Sequence, residues 1–165
     1  MSLASTAALL LRRINGVVMV PCMAALLLAA GLLTYSVVVR YAYRAPTDWQ
    51  DEIAVFLLVG AMFLSGAQVQ SQRGHIGIEA IAGLLPPAIE RLRRSFVDLV
   101  TVAFCGFFAW KSWTLFGVAW SEGQTSTSTL APPLWIPYST MSLGMTLLAL
   151  QALLQLLDRA GPEPR

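Results

Sequence analysis

The sequence predicts an all-α integral membrane protein with four transmembrane helices, and three observations carry that expectation. Of its 165 residues 56% are hydrophobic and only 12% charged, about half the charged share usual in a soluble domain. The apolar residues gather into four long runs almost free of ionisable side chains. The basic and aromatic residues fall unevenly around those runs, as a four-span threading through a membrane requires.

The first run, residues 14–39, holds no ionisable residue. Pro21 is expected to bend this helix or to begin it, and Cys22 to Val39 still supplies the roughly 18 residues a span needs. Arg12 and Arg13 ahead of an apolar run imitate a secretory signal. The run is longer than the roughly 7–15 residues of a signal core, so an uncleaved span is expected. The second span, residues 50–72, follows the polar turn Arg44-Ala45-Pro46-Thr47-Asp48. Thr47 and Gln50 have the spacing of a capping box, and Asp51 and Glu52 place negative charge where a helix N-terminus favours it. Both acids suit capping or an ion pair with Arg40 or Arg44.

The third span, residues 95–121, carries only Asp98 near one end and Lys111 nearer the other. Asp98 stands four residues from Arg94, and Lys111 is expected to snorkel beside Trp110 and Trp113. Pro137 suits the first residue of a fourth span, residues 136–157, which stops at Asp158, Arg159 and Gly161-Pro162. The chain reads as one membrane domain, 1–165.

Between spans two and three, Ile78, Ile81, Leu85, Ala88 and Leu92 repeat every three or four residues, with Glu79, Glu90, Arg91, Arg93 and Arg94 off that stripe. The pattern predicts a short interfacial amphipathic helix over 75–92, interrupted at Pro86-Pro87, with its arginines toward anionic lipid. A solvated loop is the alternative. Gln68, Gln70, Gln151 and Gln155 are expected to hydrogen-bond between helices. The connector 123–133 is rich in hydroxyls and proline and lacks charge, so it suits either a partner contact or a simple turn.

Alternating spans put the N-terminus, the span two–three connector and the C-terminus on one side. That side holds Arg12, Arg13, Arg73, Arg91, Arg93, Arg94, Arg159 and Arg165, against Arg40, Arg44 and Lys111 for the other. Both termini are therefore expected in the cytoplasm. Every Trp (49, 110, 113, 120, 135) and every Tyr (35, 41, 43, 138) falls at or toward the opposite side, where such rings form an interfacial belt.

Little here could do chemistry. One histidine, His75, and two separated cysteines, Cys22 and Cys105, give no metal-ligand spacing, no axial histidine pair and no disulfide framework. No cofactor is expected, and a net charge of +2 without a basic stripe gives no nucleic-acid footprint. His75, after Arg73-Gly74, suits a turn-holding role, with a titrating or lipid-facing role as the alternative. A stand-alone four-helix exporter acting as a homodimer would need an ionisable residue inside a span, facing the substrate path, and spans one, two and four carry none in their interiors.

Several local patterns occur in a telling order: Arg40-Tyr41, Trp49-Gln50-Asp51-Glu52, Arg73-Gly74-His75-Ile76-Gly77-Ile78-Glu79, Leu85-Pro86, Thr125-Ser126-Thr127, Pro133-Leu134-Trp135-Ile136-Pro137-Tyr138 and Leu143-Gly144. In this order and spacing the chain resembles the small permease subunit of tripartite ATP-independent periplasmic (TRAP) transporters, often called DctQ-like. It departs from that pattern in Asp51 for the first glutamate of a usual pair, in Glu79 for a common aspartate, and in Ala54, Val55 and Phe56 where a basic residue often follows.

The resemblance implies a scaffold subunit in the bacterial inner membrane. Its implied partners are a large elevator-type membrane subunit, a periplasmic substrate-binding protein and phospholipids, in ion-coupled, usually sodium-driven, uptake of an organic acid or similar solute. Arg40, Trp49, Asp51, Glu52, Thr125, Ser126, Trp135 and Tyr138 then become candidates for partner contact. Arg73, His75, Arg91, Arg93 and Arg94 are candidates for the lipid interface.

Overall fold

The computed structural model describes residues 3–71, 87–128 and 130–160. Four helices make it up: α1 (Leu3–Tyr43), α2 (Asp48–Ser71), α3 (Pro87–Ser121) and α4 (Trp135–Ala160). Each contains a stretch long and apolar enough to cross a membrane: Arg13–Tyr43, Asp48–Ser71, Ser95–Ser121 and Trp135–Leu157.

The helices outrun the expected spans at several ends. Pro21 neither begins α1 nor stops it, since helix extends from Leu3 through it to Tyr43. At about 1.5 Å per residue, 41 residues reach about 60 Å, twice the hydrocarbon thickness. α4 starts at Trp135, two residues before Pro137, whose missing N–H still falls in the first turn, where no intrahelical acceptor exists for it. The interfacial segment needs a correction at its end. Residues 87–92 are the first turns of α3, continuous with the third span, because Pro87 is preorganised to open a helix and nothing after it breaks one. Residues 75–86 of that segment lie outside the described residues.

The helices stand in the spatial order α1-α2-α4-α3. α1 packs along α2, α2 along α4, and α4 along α3, with a slighter contact between α1 and α4. This is a row with two edges, not a closed bundle, and only 11–22% of an 18-residue apolar stretch of each span is buried by the rest of the chain.

In lipid no hydrophobic effect drives helices together, so close packing of small residues has to do it. The buried positions fit that requirement: Ala29, Ala54, Ala61, Ala67, Ala109, Ala119 and Ala152, with Ser36, Ser112 and Ser142. The tightest approach joins α2 and α4. A Cβ added to Gly144 would lie 2.5 Å from the Phe63 carbonyl carbon, and one on Gly60 would touch the Thr140 side chain at 3.7 Å. Next to this joint, Cys105, Ala109 and Met145 form a small core with Phe63, Met141 and Leu148 packed against it.

Hydroxyls inside the spans are satisfied locally. Ser112 donates to the Phe108 carbonyl at 2.7 Å, Ser142 to Tyr138 at 2.7 Å and Thr146 to Ser142 at 2.7 Å, the back-bonding that lets a helix carry Ser and Thr in an apolar medium.

Replacing Gly144 with Val should drive α2 and α4 apart. We expect thermal unfolding of the purified chain in mild detergent to show a loss of about 1–3 kcal/mol. Gly31→Ala, where an added Cβ meets nothing within 4 Å, should be neutral in the same assay; equal losses at both positions would contradict the packing described.

Candidate functional site

Polar side chains gather at the two ends of the row, and each gathering fastens helices together. At one end α1 finishes beside the start of α2. Arg40, in the last turn of α1, donates from Nε and Nη2 to Thr47 Oγ1 at 3.2 and 2.8 Å, and from Nη2 to Asp51 Oδ2 at 2.7 Å. Ser36, one turn earlier and 1% exposed, donates to the other oxygen, Oδ1, at 2.7 Å. The cation thus sits at a helix C-terminus and the carboxylate at a helix N-terminus, each where the helix dipole favours it.

Thr47 is the cap position of α2, and its carbonyl accepts from the Asp51 N–H at 3.3 Å. Its hydroxyl serves Arg40, and the Gln50 side chain is buried with Oε1 unpaired. The capping-box spacing therefore locates the helix start, while the hydroxyl goes to the ion pair instead of to a reciprocal box. Arg44 has a positive φ of 50° and turns the chain out of α1.

The α3–α4 connector is built onto this corner. Gly123, with a φ of 61°, ends α3, and the Gln124 N–H returns to the Ala119 carbonyl at 3.0 Å, a Schellman closure that glycine adopts without strain. The connector then pairs with itself: the Leu134 N–H donates to Gln124 O and the Ser126 N–H to Pro132 O, both at 2.9 Å, around a Thr125–Pro133 bridge. At its tip the Ser128 hydroxyl donates to a carboxylate oxygen of Glu52. Glu52 therefore ties the connector to α2. The rings of Trp120 and Trp135 meet at 5.1 Å beside the connector.

At the other end Asn15 donates to the Ala67 carbonyl at 3.5 Å and to Gln151 Oε1 at 3.3 Å, joining α1, α2 and α4. Gln70 and Gln155 bond reciprocally: Gln70 Nε2 donates to Gln155 Oε1 at 3.0 Å, and Gln155 Nε2 to the Gln70 carbonyl at 2.8 Å. Gln70, Gln151 and Gln155 act between helices, as the sequence predicts. The Gln68 side chain instead accepts from the Ser71 hydroxyl within α2, Oε1 at 3.5 Å. The early part of α1 and the late part of α4 share this end, as four alternating spans require.

Of the candidates for partner contact, Arg40 and Asp51 bond directly, and Glu52 joins them to the connector that carries Thr125 and Ser126. Trp49 stands 45% exposed at the same corner. Trp135 and Tyr138 open α4, the Tyr138 N–H donating to Leu134 O at 3.3 Å. Among the interface candidates, Arg91, Arg93 and Arg94 occupy the early turns of α3, with Arg93 half-buried. Arg73 and His75 lie outside the described residues. Sequence reasoning missed Ser36, Ser128 and Asn15. Asn15 was traceable, since it is the chain's one asparagine and sits at the edge of an apolar run.

A row of four spans, with polar side chains spent on binding its own helices end to end, defines a multi-pass membrane protein. The chain belongs to the family described as tripartite ATP-independent periplasmic transporters, DctQ component, whose pattern matches residues 29–161. A protein of Haemophilus influenzae named as a TRAP transporter small permease protein is 23% identical over 103 residues, 62% of this chain. The match spans 64% of that relative's length.

The corner separates two contributions at Asp51. Asp51→Asn keeps an acceptor for buried Ser36 and removes only the partly exposed ion pair, so it should change stability little. Asp51→Ala strands the Ser36 hydroxyl as well and should be clearly the more destabilising of the two. Chemical unfolding in detergent measures both; equal losses would show that the Ser36 bond contributes nothing.

Proposed function

We propose that this chain is the small scaffold subunit of a TRAP-type secondary transporter in the bacterial inner membrane. Both termini are cytoplasmic and the Arg40–Asp51 corner faces the periplasm. It stabilises a large elevator-type membrane subunit and helps dock a periplasmic substrate-binding protein during ion-coupled uptake of an organic acid or similar solute.

The observation that carries this reading is the open row. Most residues of every span are left uncovered by the chain itself, and the polar groups that are placed serve to hold helices in position. Such a structure has surface to offer a larger membrane partner and a rigid corner to offer a soluble one. Membership of the DctQ component family supports the same assignment, as does the excess of arginine at the end holding Arg13, Arg91, Arg93 and Arg94. Arg40, Trp49, Asp51, Glu52, Thr125, Ser126, Trp135 and Tyr138 form or adjoin the docking corner. Arg73, His75, Arg91, Arg93 and Arg94 serve the cytoplasmic lipid interface.

Expressed with its native genetic neighbours and purified through a tag in mild detergent, the chain should bring down a large multi-span protein. Recovery of the chain alone, transporting solute by itself in liposomes, would favour a homodimeric exporter and overturn the proposal. Asp51→Ala combined with Glu52→Ala should lower complex recovery or uptake several-fold with solute preference unchanged. A changed preference would place solute recognition at this corner.

A further inference from the structure

α3 is an edge of the row, packed along α4 through Cys105, Ala109, Ser112 and Ala119, all buried. At about 100° per residue, Lys111 points about 120° away from that stripe. It shares its flank with Val100, Phe104, Phe107, Leu115 and Val118, each 41–60% exposed. These six positions follow one another at intervals of three and four, the spacing of a seam that receives another helix. Five are apolar and the sixth, in their midst, is a cation.

Depth makes that cation unusual. Lys111 is the seventeenth of the 27 residues in Ser95–Ser121. At about 1.5 Å per residue it stands about 15 Å along the helix from one end and about 24 Å from the other. Against a hydrocarbon core about 30 Å thick, its backbone lies well inside the apolar slab, about 10 Å from the nearer boundary. Escape toward that boundary runs against the helix, because Cα–Cβ bonds lean toward the N-terminus, here the farther boundary. Nζ rests 5.0 Å from the centroid of the Trp110 ring, one residue back. Among the described residues Lys111 meets no carboxylate; the Asp51 carboxylate is taken by Arg40, on the α1–α2 hairpin.

The other edge of the row makes the contrast. Between Arg13 and Arg40 the exposed face of α1 carries no ionisable residue, which suits lipid. A charge inside a span is costly unless something pairs with it, and lipid tails offer no pairing.

We infer that the Val100–Phe104–Phe107–Lys111–Leu115–Val118 flank of α3 is the seat for a transmembrane helix of the large subunit that presents a carboxylate opposite Lys111. The inference rests on the proposed function for the existence of that subunit. A second copy of this chain does not fit the seam: a symmetric contact would bring Lys111 against Lys111, and the acids flanking it along this edge, Glu122 and Asp98, are 11 and 13 residues away. Trp110 then screens the ammonium from lipid on one side while the carboxylate meets it on the other.

The test uses the tagged chain co-expressed with the large subunit, comparing Lys111→Met, Lys111→Glu and Lys111→Arg, with a photo-activatable side chain at Leu115 in a separate variant. Large-subunit recovery should fall at least about tenfold for Lys111→Met and further for Lys111→Glu, the scale expected when one member of a desolvated charge pair is removed. Lys111→Arg should keep most of it, and Leu115 should crosslink to the large subunit. Helical content and melting of each variant purified alone should match the parent, which separates lost docking from lost folding. Parental recovery by Lys111→Met and Lys111→Glu, or crosslinking of Leu115 to lipid alone or to a second copy, would overturn the inference while leaving the proposed function standing. Failure of the parent itself to recover a large subunit would remove both.

Discussion

The approach of α4 to α2 at Gly144 and Phe63 is the contact on which the row depends. Among the described glycines Gly144 is the one where an added methyl group would collide with the main chain of a neighbouring helix, and it lies at the centre of the order α1-α2-α4-α3. On one side of it Ser36, Arg40, Thr47 and Asp51 fix α1 to α2; on the other Trp113 donates to Thr146 at 3.0 Å across α3 and α4. Dispersion between small residues is short-ranged, so widening this joint would release the partners on both sides.

Polar groups complete what packing begins, and their placement follows from cost. An unpaired polar atom in hydrocarbon is expensive, so the strongest pairings sit at the ends of the spans, where charge also complements the helix dipoles. The two ends are built differently. One uses a guanidinium, a carboxylate and hydroxyls, and draws in the α3–α4 connector through Glu52 and Ser128. At the other, the amides of Asn15, Gln70, Gln151 and Gln155 bridge three helices. Dimensions of the row are thus set by side chains of short reach.

Much of this was legible in the residues. The number of spans, the start of α2 at Thr47 and the role of three glutamines all follow from run length, capping and the rarity of amides in apolar helices. What the sequence could not supply was lateral order. Hydropathy says which residues face lipid or protein, but not that α4 comes to lie between α2 and α3. That order is written in Gly144, Gly60 and the alanines, residues whose significance is the absence of a side chain. The corner shows the same limit: charge offered Asp51 and Glu52 either capping or an ion pair with Arg40 or Arg44 without choosing among them, whereas Ser36 and Ser128 had no periodicity or charge to mark them. Pro21 does not begin the helix, because in a long apolar helix the turns on either side hold the fold through the missing bond.

The lateral order also bears on how such a chain is made. α1 and α2 are neighbours in sequence and in space, as are α3 and α4, so each pair can enter the bilayer as a helical hairpin already closed on itself, the first through the Arg40 corner and the second through the 124–134 connector. Only the meeting of α2 with α4 is left for later, and it requires no further crossing of the membrane by any segment. Biogenesis thus divides into two insertions and one sideways docking, and the surfaces that dock are the glycine and alanine faces.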